Sequence, residues 1–336
     1  MNVTIKDIAL RAGVSTMTVS RVINDSGYVA EKTRKAVEAA ISELNYQPNL
    51  LARSLINRKS SFVYVIVPDI SNPFYADLTK GVERVARGAG YHIILSNGYW
   101  NEALEEEHIE AARGRMAEGV ILVLPKLAEK RIRELNKRTP LVVVDKHVRS
   151  RDIDSVYIEQ NDGAARAVEH LIELGHRRIA FLSGPRRIYN SIARHRGYAE
   201  ALKRHGITPD PALVLRGDFT FESGQRAFEQ ILDLSPAERP TAVFAASDLV
   251  ALGLMRSAFR HHFRIPQDLS LVGFDDITLS SIVNPPLTTV RHPFIKMGER
   301  AMKHLLGKLD PNAHPDDGER LVNTLVVRET TQPFAR

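Results

Sequence analysis

A series of short runs of Val, Ile and Leu, separated by amphipathic stretches, sets the tightest limit on how this 336-residue chain can fold. Phe62–Val67, Tyr91–Leu95, Val120–Leu124 and Leu141–Val144 form one set. Arg178–Leu182, Leu213–Leu215, Ala242–Ala245 and Leu269–Phe274 form a second, which begins after Gly163. Helical patterns lie between them over Phe74–Ala89, around Leu104–Met116 and near Ile132. Strands that are apolar along their whole length are buried on both faces, which is the condition of a parallel sheet covered by helices. The expected body is therefore α/β, with two doubly wound parallel-sheet lobes and a cleft between them. The chain is longer than one typical domain, and a composition that is 43% hydrophobic can fill sizeable cores.

Open parallel sheets bind ligands outside the carboxyl ends of their strands. The residues that follow the strands are Asp69, Asp145, Ser183, Ser247 with Asp248, and Asp275 with Asp276. Asn72 before Pro73 also reads as an N-cap followed by a helix-opening proline. No G-x-G-x-x-G follows the first strand and no G-x-x-x-x-G-K-[ST] occurs, so neither dinucleotide nor triphosphate binding is indicated. The chain has no cysteine and no metal-ligand spacing, and His261–His262 reads as a solvated helix end. Ser183-Gly184-Pro185 lacks the glycine two places before a nucleophilic serine. The expectation is no enzyme, no cofactor and no metal.

The first sixth of the chain has a different pattern. Ile5, Ile8, Ala9 and Ala12 recur at helical spacing behind a Thr4/Asp7 capping box. Gly13 can end that helix, and Ser15 can cap a second one that buries Val19, Val22 and Ile23. Two short helices joined by a glycine turn have the layout of a helix-turn-helix, with Thr16, Met17, Ser20 and Arg21 on the open face of the second helix. A third helix is expected over Glu31–Leu44, buried through Val37, Ala40, Ile41 and Leu44, with Asn24, Tyr28 and Thr33 within reach of phosphates or bases. Nine basic residues stand against five acidic ones up to Ser60, so this segment holds most of the net charge of +6. A local basic excess of this kind suits a polyanion.

The run Ala12-Gly13-Val14-Ser15-x-x-Thr18-Val19-Ser20-Arg21-Val22-x-Asn24, continued by Thr33-Arg34, Leu44-Asn45-Tyr46, Pro48-Asn49 and Ala52-Arg53-Ser54-Leu55, resembles the headpiece of the lactose/galactose repressor (LacI/GalR) family. Ser71-Asn72-Pro73-Phe74-Tyr75, Ser183-Gly184-Pro185, Ser247-Asp248, Gly273-Phe274-Asp275-Asp276 and Leu287-Thr288-Thr289-Val290 extend the likeness to that family's periplasmic-binding-protein-like domain. The resemblance implies a ligand-switched repressor that binds a palindromic operator as a homodimer. It implies a headpiece over 1–47, a hinge helix and linker over 48–60, and an effector-binding and dimerisation domain over 61–336. The N-lobe would be about 61–160 with 291–318, and the C-lobe about 161–290 with 319–336. Thr4, Ser15, Thr18, Tyr46, Asn49, Ala52 and Leu55 join the DNA-contacting set, Leu55 as a minor-groove wedge. In the cleft, Phe74 and Phe219 would flank the ligand. Asp145, Arg194 and Asp275 would hydrogen-bond it, with Asn190, Ser247 and His292 nearby and Asp69, Asn72 and Asp248 at the strand ends.

Carboxylates, an arginine and aromatic walls suit a sugar. A purine or a sugar phosphate is the alternative effector. Glu159-Gln160 stands where the family has Asp-Asn, and His292 where it has Gln. Residues 48–56 are too few for a helix that is stable alone, since isolated helices need about 12–15 residues. That segment is therefore expected to become helical only on DNA beside its twin. The N-terminus has no signal pattern, no apolar run reaches the roughly 18 residues of a membrane span, and the C-terminus carries no leucine heptads. These features point to a soluble cytoplasmic protein, without membrane contact, that forms dimers rather than tetramers. The competing reading is a two-lobed binding protein or enzyme whose N-terminal helices make protein contacts.

Overall fold

A computed structural model describes residues 3–46, 60–115, 117–310 and 320–334, and the chain divides into one unit ending at Ser60 and another beginning at Ser61.

In the first unit, α1 (Ile5–Ala12), α2 (Thr16–Ile23) and α3 (Glu31–Glu43) enclose a small core of Ile8, Ala9, Val19, Val22, Val37 and Ala40. Thr4 opens α1 by donating both its backbone N–H and its hydroxyl to Asp7 Oδ2, at 2.8 and 2.7 Å. Ser15 Oγ accepts from the Thr18 N–H at 3.1 Å and so caps α2. Ala30 gives α3 no side-chain cap. Gly13 ends α1 at φ +66°, and a Cβ there would meet nothing within 4 Å. Gly13→Ala should therefore cost only the backbone penalty of a left-handed residue, about 1–2 kcal/mol. The headpiece melting transition, followed by circular dichroism in the full chain, should fall by several degrees with DNA contacts unchanged. A larger loss would mean that the turn packs against something. Residues 48–56, including Asn49, Ala52 and Leu55, lie outside the described residues.

The second unit carries two sheets built on one plan. The first has the order β2-β1-β3-β4-β5, entirely parallel, from β1 (Phe62–Val67), β2 (His92–Asn97), β3 (Gly119–Val123), β4 (Leu141–Val144) and β5 (Asp154–Val156). Helices α4 (Pro73–Gly88), α5 (Glu102–Gly114) and α6 (Glu129–Asn136) connect these strands. Then α7 (Gln160–Glu173) leads into β6 (Ile179–Leu182), α8 (Tyr189–Arg204), β7 (Val214–Leu215), α9 (Phe221–Asp233), β8 (Ala242–Ala245), α10 (Asp248–Arg260), β9 (Ser270–Asp275) and β10 (Thr288–Arg291). After β10 comes α11 (Phe294–Leu309), which returns to the first lobe. There the Phe74 and Phe294 rings meet edge-on at 3.9 Å, and Arg84 pairs with Glu299 at 2.7 Å. The chain ends on β11 (Thr324–Val326), and the second sheet runs β11-β10-β9-β8-β6-β7.

Within each sheet the first strand lies between the second and the third, so both lobes have a topological switch point. Three details differ from expectation. Strand β11 is antiparallel to β10. Pro211–Leu213 forms a 3₁₀ turn, which leaves only Val214–Leu215 as strand. The short polar strands β5 and β10 lack the apolar run that marks the others. The chain crosses between lobes three times, after β5, after β10 and after α11. Residues beside those crossings are stitched together. His292 Nδ1 lies 2.6 Å from Asn323 Oδ1, and Asn323 Nδ2 donates to the Glu159 carbonyl at 3.1 Å. Ile188, Leu252 and Ile277 of the second lobe share one buried cluster with Val67 and Phe74 of the first.

Candidate ligand cleft and nucleic-acid interface

Successive strand ends of both sheets converge on one cavity of about 30 Å³. The first lobe supplies Asn72 and Phe74 after β1, Trp100 after β2, Leu124 after β3 and Asp145 after β4. The second supplies Asn190 and Arg194 from α8, Phe219 after β7, Ser247 after β8 and Asp275 at the end of β9. The strands bring these residues together because each ends at the same edge of its sheet. The turns beyond them are tight. Trp100, Leu124, Asp145, Phe219 and Asp275 all have positive φ, at 55°, 43°, 61°, 67° and 118°. Non-glycine residues held in such conformations cost of order 1–3 kcal/mol each and cluster at ligand clamps.

Arg194 is the cation of the cavity and is buried. Its Nη2 lies 3.2 Å from Asp275 Oδ1, its Nε and Nη2 donate to Gln160 Oε1 at 3.1 and 3.0 Å, and Nη1 donates to the Ala246 carbonyl. The guanidinium also stacks 3.8 Å from the centre of the Phe274 ring. Gln160 Nε2 donates to Asp145 Oδ1 at 2.8 Å, so one amide joins the carboxylate of one lobe to the arginine of the other. Asn190 Nδ2 donates to Asp145 Oδ2 at 2.5 Å, while Asn190 Oδ1 is buried and has no partner among the described residues. An unpaired buried acceptor is costly, and a ligand hydroxyl or N–H would satisfy it. Burial raises the Asp275 carboxyl above its ordinary range. The Arg194 charge opposes that shift and Asp145 adds to it.

Three residues picked from the sequence do not line the cavity. Asp69 closes the turn after β1, accepting from the Ser71 N–H at 2.9 Å and the Ser71 hydroxyl at 2.8 Å. Asp248 is fully buried and its oxygens are occupied. Oδ2 accepts from the Ile277 N–H at 2.9 Å and the Ser280 hydroxyl at 2.7 Å, and Oδ1 accepts from Thr289 at 2.5 Å. Its pKa is raised, first by burial and then by Asp275. It ties the Ile277, Ser280 and Thr289 segments of the second lobe together and does not line the cavity. His292 lies one layer behind the cavity, with Nε2 3.4 Å from Asp145 Oδ1. Tyr75, Trp100 and Leu124 are the lining residues that sequence reasoning missed. The available signal was that the chain's single tryptophan follows a strand end.

In the headpiece, Met17 is 65% exposed, Tyr28 is 90% exposed, and Thr16 and Arg21 are exposed as well. Arg21 makes no hydrogen bond or ion pair among the described residues, so its fork of donors is open. Ser20 departs from the expected open face, because it is half-buried and accepts from Asn24 Nδ2 at 3.2 Å. Thr4, Ser15 and Thr18 are engaged in the two caps, the hydroxyls of Ser15 and Thr18 lying 2.9 Å apart. Thr33 is half-buried, and Tyr46 packs against the small core.

A helix-turn-helix unit followed by a two-lobed, periplasmic-binding-like body with a polar cleft defines a ligand-sensing regulator of the DNA-binding class. Matches to known proteins make the class specific. Residues 4–49 match the model for bacterial regulatory proteins of the lacI family, and residues 168–331 match that for the periplasmic binding protein-like domain. The HTH-type transcriptional repressor CytR of Escherichia coli K12 is 37% identical over 331 residues, covering 98% of this chain and 96% of that protein. The structure of the lac repressor dimer bound to operator and the anti-inducer ONPF aligns with a TM-score of 0.85 at 31% identity, covering 99% and 100% of the two chains. The complex of the transcriptional regulator CelR with cellobiose aligns with a TM-score of 0.71 at 32% identity, covering 98% and 100%. The chain belongs to the lacI family of bacterial regulatory proteins. Among the described residues no helix is long and apolar enough to cross a membrane, and no cluster of His, Asp or Glu could hold a metal ion.

Proposed function

We propose that this chain is a homodimeric transcriptional repressor that reads a palindromic operator through α2 and is switched by a sugar held in the cleft. The observation that carries the effector class is the polar set at the strand ends. Asp145 and Asp275 from opposite lobes, Arg194 paired with Asp275, and the Asn190 oxygen, which has no partner among the described residues, offer paired acceptors and donors to vicinal hydroxyls. Phe74, Trp100 and Phe219 offer faces to ring C–H groups. The CelR–cellobiose complex supports a carbohydrate over a purine or a sugar phosphate. The cavity is far smaller than the roughly 300 Å³ of a small ligand site. Binding therefore requires the lobes to part and re-close around the ligand, a step with which DNA affinity can be linked.

The sole tryptophan lines the cavity, so the protein carries its own reporter. Titrating a panel of pentoses, hexoses, disaccharides, nucleosides and sugar phosphates should change Trp100 emission for one carbohydrate class. The same compound should shift operator affinity in a salt-sensitive gel or anisotropy assay. DNA affinity should fall steeply as salt rises. A response to nucleosides alone would replace the sugar assignment. No DNA binding at low salt would leave a two-lobed binding protein.

A further inference from the structure

A second groove, of about 620 Å³, lies on the outer side of α8 and does not share its lining with the cleft cavity. Helix α8 serves both. Asn190 and Arg194 line the cavity, while Ile192, His195, Ala199 and Lys203 follow one another at helical spacing along the groove. The groove's charged lining is all of one sign, with Arg186, Lys203 and Arg216 and no carboxylate. None of these three makes an ion pair or hydrogen bond among the described residues. Neighbouring charges outside the groove are paired, Arg226 with Asp218 at 3.0 Å and Arg178 with Asp210 at 3.9 Å. Ser183 and Ser191 also line the groove, and their hydroxyls make no hydrogen bond among the described residues. The rest of the lining is apolar, from Ile192, Pro209, Pro211 and Val214, and Ile192 is 55% exposed.

Unpaired cations and open serine hydroxyls, beside an apolar strip, match a dianion attached to an organic body. The volume is within the range of small-molecule sites, about 300–1,000 Å³. We propose that this groove is a second effector site for a small phosphomonoester. Its phosphate is held by Arg186, Arg216 and the Ser183 hydroxyl, which the Ser183 N–H to Leu215 carbonyl bond of 2.8 Å sets beside Arg216, and its body lies on Ile192, Pro211 and Val214 toward Lys203. Arginine and lysine supply charge-assisted hydrogen bonds to phosphate oxygens. The site is wired to the cleft through a shared wall. Gly184, in the groove lining, packs so closely on Phe219 that a Cβ there would sit 2.1 Å from the ring's Cζ, and Phe219 lines the cleft cavity. A ligand that orders the Ser183-Gly184 loop therefore acts on the cleft's aromatic wall, and coupling of this kind is reciprocal.

The test is calorimetric titration of the full chain with a hexose 6-phosphate and a nucleoside 5′-monophosphate. The matching unphosphorylated hexose and nucleoside, and inorganic phosphate, serve as controls. At least one phosphomonoester should bind, its unphosphorylated parent should bind at least tenfold more weakly, and inorganic phosphate should compete. Binding should weaken at least tenfold in Arg186→Gln/Arg216→Gln, whose altered side chains are exposed and whose circular dichroism should be unchanged, and should persist in the cleft variant Asp145→Asn. Which phosphoester binds identifies the organic body. The proposal is overturned if neither binds, if only inorganic phosphate binds (an adventitious ion only), if the double variant binds as well as the parent, or if affinity disappears with Asp145→Asn instead. That last outcome would place the phosphate in the cleft. An acidic peptide binding in place of both phosphomonoesters would likewise overturn it. Because the readout involves no DNA, failure here leaves the repressor assignment standing.

Discussion

Arg194→Met is expected to destabilise the two-lobed body by about 3–5 kcal/mol, the cost of leaving a buried carboxylate without its cation. Asp275 loses its ion pair, Gln160 loses two donors on Oε1, and the Ala246 carbonyl loses one. The deficit should depend on pH in a defined direction. Burial already raises the folded-state pKa of Asp275, and removing the one charge that lowers it raises it further. A carboxyl whose folded pKa exceeds its unfolded value favours folding at low pH, and that contribution is lost as pH rises through the folded pKa. The variant should therefore lie closer to the parent in mildly acidic buffer than at pH 8. Adding Asp275→Asn should restore much of the loss at pH 8, because the group that Arg194 neutralised then carries no charge. Urea unfolding followed by Trp100 emission measures all three chains. A pH-independent deficit, or no recovery in the double variant, would show that Arg194 contributes packing rather than charge. Ligand response should be absent in both variants.

On DNA the largest single effect is expected from Arg21→Ala. The open guanidinium beside exposed Met17 suits a bidentate contact to a guanine edge, worth about 1–3 kcal/mol of discrimination. At 1.4 kcal/mol per decade, that is a loss of roughly 5- to 150-fold in operator affinity. Affinity for operators changed at one base pair of each half-site should fall little further, because that position is no longer read. A loss of equal size on every sequence, with a smaller salt slope, would mean that Arg21 touches only phosphate. Fluorescence anisotropy on a set of singly substituted operators separates the two results.

What could be read in advance followed physical regularity. Asp145, Ser247 and Asp275 line the cavity as their sequence positions predict, because buried parallel strands announce themselves as apolar runs and the cavity lies beyond their carboxyl ends. Ser247 and Asp248 show the limit of that rule. Adjacent residues share a strand end, but only Ser247 lines the cavity, while three donors claim the Asp248 oxygens. Those donors come from residues 29 to 41 places away, and no local pattern reveals them. Trp100 was missed because β2 is a half-exposed edge strand that continues beyond its last apolar residue, Leu95, and the turn that follows depends on backbone angles. Ser20 was misjudged because helical phase alone places it outside, whereas Asn24, one turn later, folds back onto it.

The stitch at the three crossings has a mechanical consequence. Asn323 and His292 join separate passages of the chain at the pivot, and Asp145 lies 3.4 Å from His292. Under the proposed effector binding, a ligand gripping Asp145 would push beside the fulcrum, with the far rims of the lobes at the end of a long lever. A small adjustment at that carboxylate would then be expected to produce a larger movement at the periphery.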